Sequence, residues 1–126
     1  LNELTLTEGQ HLPEGASLYV RATSLWRVDG IAENPSENTI TVQIQGVLPQ
    51  VGGTLYHAVT QAEATLYTAS HDGSVRVPLQ VSGGQPLEFF EPDALALPVL
   101  TSGERVQVQV PPHHCFIFAD GMRHYL

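Results

Sequence analysis

The chain has no lysine. Its five basic residues are all arginines, Arg21, Arg27, Arg76, Arg105 and Arg123, set against 13 acidic residues for a net charge of −8. Without Gly-Lys-Ser/Thr no phosphate-binding P-loop can be written within these residues, and a lysine Schiff base is excluded with it. Nucleic acid requires a basic footprint to neutralise phosphates, and an anionic membrane surface asks for the same, so both partners are disfavoured. The single cysteine, Cys115, excludes an internal disulfide and is compatible with a reducing compartment. Long apolar runs are missing too, and a mean hydropathy of −0.03 leaves no membrane-spanning segment to expect. The chain opens Leu-Asn-Glu-Leu, with neither a methionine nor a basic start before an apolar core. It therefore reads as a processed chain or a domain cut from something longer.

The long 3.6-residue period of an amphipathic helix is also lacking; what is present is alternation. Val106, Val108 and Val110 alternate with Arg105, Gln107 and Gln109, which predicts a strand with one face buried and one wet. Pro111-Pro112 breaks it, Cys115-Phe116-Ile117-Phe118 forms a second apolar run, and Asp120-Gly121 supplies a turn, so the chain is expected to end in a hairpin. Further strands are expected over Leu1–Thr7, from Ala16 to Ala22, from Thr39 to Leu48 and over Thr54–Thr60. Gly46 inside the third of these signals a bulge or bend. Thr65–Ala69 and Ser74–Val81 read as a hairpin about Asp72-Gly73, with Pro78 pointing to an edge strand. Leu87–Phe90 and a brief pairing over Leu97–Leu100 complete the set, and Gln61–Ala64 alone has helical flavour.

Some eight to ten short strands separated by turn residues argue for an all-β protein, an OB-like barrel or a small β-sandwich. At 126 residues this is one domain, which can be read as two intertwined lobes, about 1–38 with 101–126, and 39–100.

Chemistry-bearing residues are few. His113, His114 and Cys115, with His124 nine residues beyond the last, have the ligand types of a zinc site. Strand neighbours point to opposite faces, however, so His113 and His114 do not readily share one ion, and Cys115 reads as a small buried hydrophobe. No serine lies in Gly-x-Ser-x-Gly, and the carboxylates are scattered through loops, so no catalytic pair stands out for a hydrolase or isomerase. Arg21 sits in an apolar strand-like run and must meet water, a partner or an anion; exposure to water is the commoner role. Trp26 and Phe89-Phe90 are expected in the core.

Two stretches carry a family resemblance. Gly103-Glu104 followed by Val110-Pro111-Pro112-His113-His114-Cys115-Phe116-Ile117-Phe118-Ala119-Asp120-Gly121 resembles the terminal segment of the TOBE-type, OB-like regulatory domain of ABC-importer ATPase subunits, those serving sugar, iron and oxyanion transporters. Leu18-Tyr19-Val20-Arg21 is similar to that family's Gly-Ile-Arg-Pro strand, with Ala22 where the family has proline. A looser likeness runs from Ile40 to Gly53. The nucleotide-binding half of such a subunit has no counterpart here.

The resemblance implies a non-catalytic domain without a cofactor, attached to the ATP-binding domain of the same parent chain. It would pair with its twin as a homodimer and adjust transport through a small-molecule or oxyanion effector. Arg21, Arg105 and His113 are the candidate ligand contacts. The location implied is cytoplasmic, peripheral to the inner membrane through the transporter complex. The alternative is a standalone β-barrel interaction or assembly module, as in a phage or secretion apparatus.

Overall fold

In the computed structural model, residues 1–6, 16–28, 38–69, 76–111, 115–119 and 122–124 are described. Among them, eleven strands and two short 3-10 turns follow one another. They are β1 (Asn2–Thr5), β2 (Ser17–Val20), η1 (Ala22–Ser24), β3 (Trp26–Val28), β4 (Thr39–Gln50), β5 (Gly53–Thr60), β6 (Ala64–Ala69), β7 (Arg76–Val81), β8 (Pro86–Pro92), η2 (Asp93–Leu95), β9 (Arg105–Gln109), β10 (Cys115–Ala119) and β11 (Met122–His124). The protein is all-β, as its alternation requires.

One sheet has the order β3-β9-β4-β5-β8, a second the order β1-β2-β10-β11, and β6 pairs with β7. Among the described residues an isolated bridge, Leu6 to Val81, joins the residue just beyond β1 to β7. All pairings are antiparallel. The inward residues of these sheets form one core: Leu4, Leu18 and Val20 from β1 and β2, Leu66, Leu79 and Val81 from β6 and β7, and Ile40, Val42, Ile44, Tyr56, Leu87, Phe89 and Val108 from the five-stranded sheet. Tyr56 and Phe89 are cross-strand partners whose rings stack at 5.0 Å between centroids.

The five-stranded sheet curls. Its first and last strands, β3 and β8, share no backbone ladder, yet Arg27 of β3 reaches Glu91 of β8 through Nε (2.8 Å to Oε2) and Nη2 (to Oε1). Both side chains are nearly enclosed, at 9% and 7% exposure, and Nη2 also donates to the Pro98 carbonyl at 2.9 Å. A fork-to-fork pair of this kind fixes geometry, which suits a latch between two strands that cannot pair by backbone. The curvature has a second source. At β4 the register with β5 slips between Ile44 and Gly46, leaving Gln45 unpaired as a bulge. The 101–104 turn settles on that bulge: Gly103 N–H donates to the Ile44 carbonyl (2.7 Å), Ile44 N–H to the Glu104 carbonyl (2.8 Å), and Ser102 Oγ to the Gln45 carbonyl (3.2 Å).

The sheets are stitched together by side-chain amides rather than by ladders. The Asn2 side chain donates Nδ2 to the Glu88 carbonyl (2.7 Å) and accepts from Glu88 N–H (2.7 Å), tying β1 to the edge of β8. Asn38 does the same to Tyr67 of β6, at 2.9 and 2.6 Å. Gln85 does it to Thr5, at 3.0 and 2.6 Å. Each amide presents one donor and one acceptor with the spacing of a peptide group, so it pairs with a backbone as a one-residue strand would. Asn38 takes φ 60°, a left-handed conformation that asparagine tolerates better than most residues.

Several sequence expectations are corrected. Gln61–Ala64 forms no helix; Ala64 already opens β6. Residues 97–100 form no strand. Leu100 N–H donates instead to the buried Tyr56 hydroxyl (3.0 Å), which holds the segment against the core. Arg21 does not lie within a strand but caps η1 just beyond β2. Trp26 is not core: it is 47% exposed on the outer face of β3. Gln107, expected to face water, is 4% exposed, and its Oε1 has no hydrogen-bond partner among the described residues. The wet face of β9 is therefore covered at its middle, which alternation alone does not reveal. The turn expected at Asp72-Gly73 lies outside the described residues.

Candidate functional site

Most of the sequence-derived candidates do not converge. Arg21 is exposed, immediately after β2, and makes no side-chain hydrogen bond or ion pair among the described residues. Arg105 is exposed at the start of β9, opposite Gln43 of β4. Arg105 thus belongs to the five-stranded sheet, whereas Arg21 follows a strand of the other sheet. His113 and His114 lie outside the described residues. His124 is in β11 with its backbone opposite Ile117, and its side chain lies outside the described part of the structure.

Cys115 opens β10 opposite Val20, half-buried against the core. Its thiol donates to the Pro111 carbonyl at 3.2 Å, and burial pushes it up to about 12, so it is held as a thiol at neutral pH. Among the described residues no three His, Cys, Asp or Glu side chains are placed to hold a metal ion.

Polar chemistry gathers elsewhere, in a groove of about 590 Å³ lined by Leu1, Asn2 and Glu3, by Gln45 and by facing residues of β5 and β8. His57 of β5 and Glu88 of β8 are direct cross-strand partners, with Nδ1 3.1 Å from Oε1 and both side chains about two-fifths exposed. Outward-facing Val59 and Pro86 form the next cross-strand pair along the same face. The bulge residue Gln45 lies beside the His57 row and also lines the groove.

Glu3 comes from β1, and its cross-strand partner Tyr19 donates a hydrogen bond to it; that bond, then partial burial, then the Glu3 charge raise the Tyr19 hydroxyl above its usual value. The stitch from Asn2 to the backbone of Glu88 ties β1 to β8, and Glu3 and Glu88 line the same groove.

Sequence reading did not single out His57, Glu88 or Glu3, because they stand in three different strands with no motif around any of them. A signal was available, since the outward positions of a half-buried strand are legible from alternation. Which two outward positions meet depends on register, and register across β5 and β8 is set by the long 61–85 excursion between them.

The chain matches none of the known family profiles, and no curated protein matches it.

Proposed function

We propose that this chain is a non-catalytic regulatory domain of the TOBE type, carried by an ABC-importer ATPase subunit, which binds a small effector and pairs with its twin. The supporting observation is the pairing of β2 with β10. The two stretches that bear the family resemblance, 18–21 and 110–121, are remote in sequence. Yet Val20, Tyr19 and Leu18 stand opposite Cys115, Phe116 and Ile117. A resemblance arising by chance in two separate segments carries no requirement that they be neighbours. Arg21 then emerges at the end of that pair, exposed, where an anionic effector or a partner can reach it. In this reading the domain acts on the cytoplasmic side, peripheral to the inner membrane through its transporter.

The test is thermal unfolding with sulfate, molybdate, maltose and ferric citrate added in turn. Only a ligand bound by the native state stabilises it, by about 2.7 kcal/mol at a hundredfold excess over Kd. A rise of several degrees with one of them, abolished by Arg21→Ala, is the expected result. Indifference to all four contradicts effector binding of this class.

The second reading, a standalone assembly module, is favoured by the apolar tip of the β4–β5 hairpin. There Leu48 and Val51 are exposed, and Leu48 and Leu55 form an outward cross-strand pair. It predicts a homo-oligomer disrupted by Val51→Asp, with no response to the four solutes.

A further inference from the structure

We propose that the tip of the β4–β5 hairpin, with the 93–99 segment fastened to it, is the surface on which a second copy of this chain packs. Self-association is common to both readings above, and this assignment of its surface rests on it. Among the described residues seven large apolar side chains are exposed, and five of them, Leu48, Val51, Leu95, Leu97 and Val99, lie in these two segments. Apolar side chains scattered singly over a surface need no explanation, but a concentration at one end marks a contact.

The two segments form one surface, set before a partner arrives. Asp93 N–H donates to the Gly52 carbonyl at 2.9 Å, fastening η2 to the turn, and the buried Tyr56 hydroxyl holds Leu100 N–H beyond the far end. Register then builds a platform beside them. Leu48 stands opposite Leu55, and Leu55 opposite Phe90, so three apolar side chains from β4, β5 and β8 make one row on the outer face. Tyr56 and Phe89, next to that row, point into the core instead. The Phe90 ring lies against Gly53, where a Cβ would displace it. Val51 projects fully exposed from the turn. A platform and a projecting side chain a few residues apart on one copy are self-complementary, since a two-fold axis brings each Val51 onto the twin's row.

Charge selects the same partner. Residues 46–56 and 94–103 contain no acidic or basic side chain, and Asp93 stands at the border. Two chains of net charge −8 repel wherever carboxylates meet, so a charge-free end is where they approach most closely. The partner meets the face and not the strand edge. Beyond the bulge no described strand pairs with the outer edge of β4, but Pro49 stands in that stretch without an N–H and hinders strand addition.

Sedimentation equilibrium of the whole chain tests the surface in the wild type, Val51→Asp, Leu95→Asp and a control, Trp26→Asp, exposed on β3 outside both segments. A dimer is expected, weakened about tenfold or more by either charge placed in the contact and unchanged in the control. Raising salt from about 0.05 to about 0.5 M should tighten the wild-type dimer, because it screens the repulsion between the two chains. A thermal melt identifies any variant that fails to fold, and Leu97→Asp then takes its place. Undiminished affinity in the folded tip variants, or a dimer loosened by salt, overturns this surface and leaves twin pairing standing. Masses that grow past the dimer with concentration overturn the two-fold packing. A monomer at every concentration overturns surface and pairing together. None of these results touches the effector response read by thermal unfolding.

Discussion

At the scale of single residues, the pair Arg27–Glu91 carries the most structural weight. Both groups are nearly enclosed, so removing one strands the other's charge in the interior. Glu91→Gln or Arg27→Met alone is expected to cost about 3–5 kcal/mol, whereas replacing both with apolar residues of similar volume should cost much less. Urea denaturation of the two single variants and the double variant measures this; equal losses in all three would contradict the latch.

Gly53 is the second such residue. A Cβ built there would collide with the Glu91 carbonyl oxygen and the Phe90 ring, one of them rigid backbone. Gly53→Ala is expected to destabilise by about 1–3 kcal/mol, since the crowding has to be relieved by moving β8. Its neighbour Gly52 has open space but φ 84°, so there the objection to a side chain is conformational.

Cys115 gives the residue-scale prediction with a pH sign. Its thiol is raised to about 12, so the reactive thiolate is scarce in the native protein at pH 8 and abundant only once unfolding returns it to an ordinary value. Iodoacetamide labelling should be slow in buffer and fast in urea. A raised value also means the folded state holds its proton more tightly, so the contribution to stability is present below the ordinary thiol value and is lost as pH rises toward 12. Rapid native labelling at pH 8 would contradict the burial.

At the scale of elements, the strands themselves were legible and their neighbours were not. The alternation of Ile40, Val42 and Ile44, and of Val106 and Val108, fixed two inward faces that the structure bears out, and Gly46 marked the bulge. What alternation does not carry is partnership. Nothing local says that Asn2 will pair with Glu88, Asn38 with Tyr67 or Gln85 with Thr5, because each joins segments 86, 29 and 80 residues apart. The groove inherits that silence, since Glu3, His57 and Glu88 line it from three different strands. Trp26 escaped for a different reason: frequency favours burying a tryptophan, but on this three-residue edge strand its ring lies on a face that no described residue covers, and it is 47% exposed.

The stitches are testable as elements. Asn2→Ala and Asn38→Ala each leave a backbone donor and acceptor without partners, at an expected cost of about 1–3 kcal/mol apiece. Hydrogen exchange should show Glu88 N–H losing protection in the first variant and Tyr67 N–H in the second, with the opposite site unaffected. Exchange unchanged at both would mean the amides contribute nothing to joining the sheets.

At the scale of the molecule, the three sheets close over one apolar core while their outward faces, edges and turns are left to present Arg21, the β4–β5 tip and the groove. That division, a rigid interior and a chemically varied exterior, is what a regulatory binding domain requires, and it is why the proposed roles fall on residues outside the core. The fold class followed from periodicity because the hydrophobic pattern alone decides it. The proposed function rests on resemblance, since no spacing in the chain dictates a reaction.

The claim that this domain works by pairing with its twin is met most directly by its mass in solution, measured by light scattering across a range of concentrations. The account predicts a species of twice the chain's 13.7 kDa, persisting on dilution and strengthened by whichever effector raises the melting temperature. A strict monomer at every concentration, with and without those solutes, would contradict it.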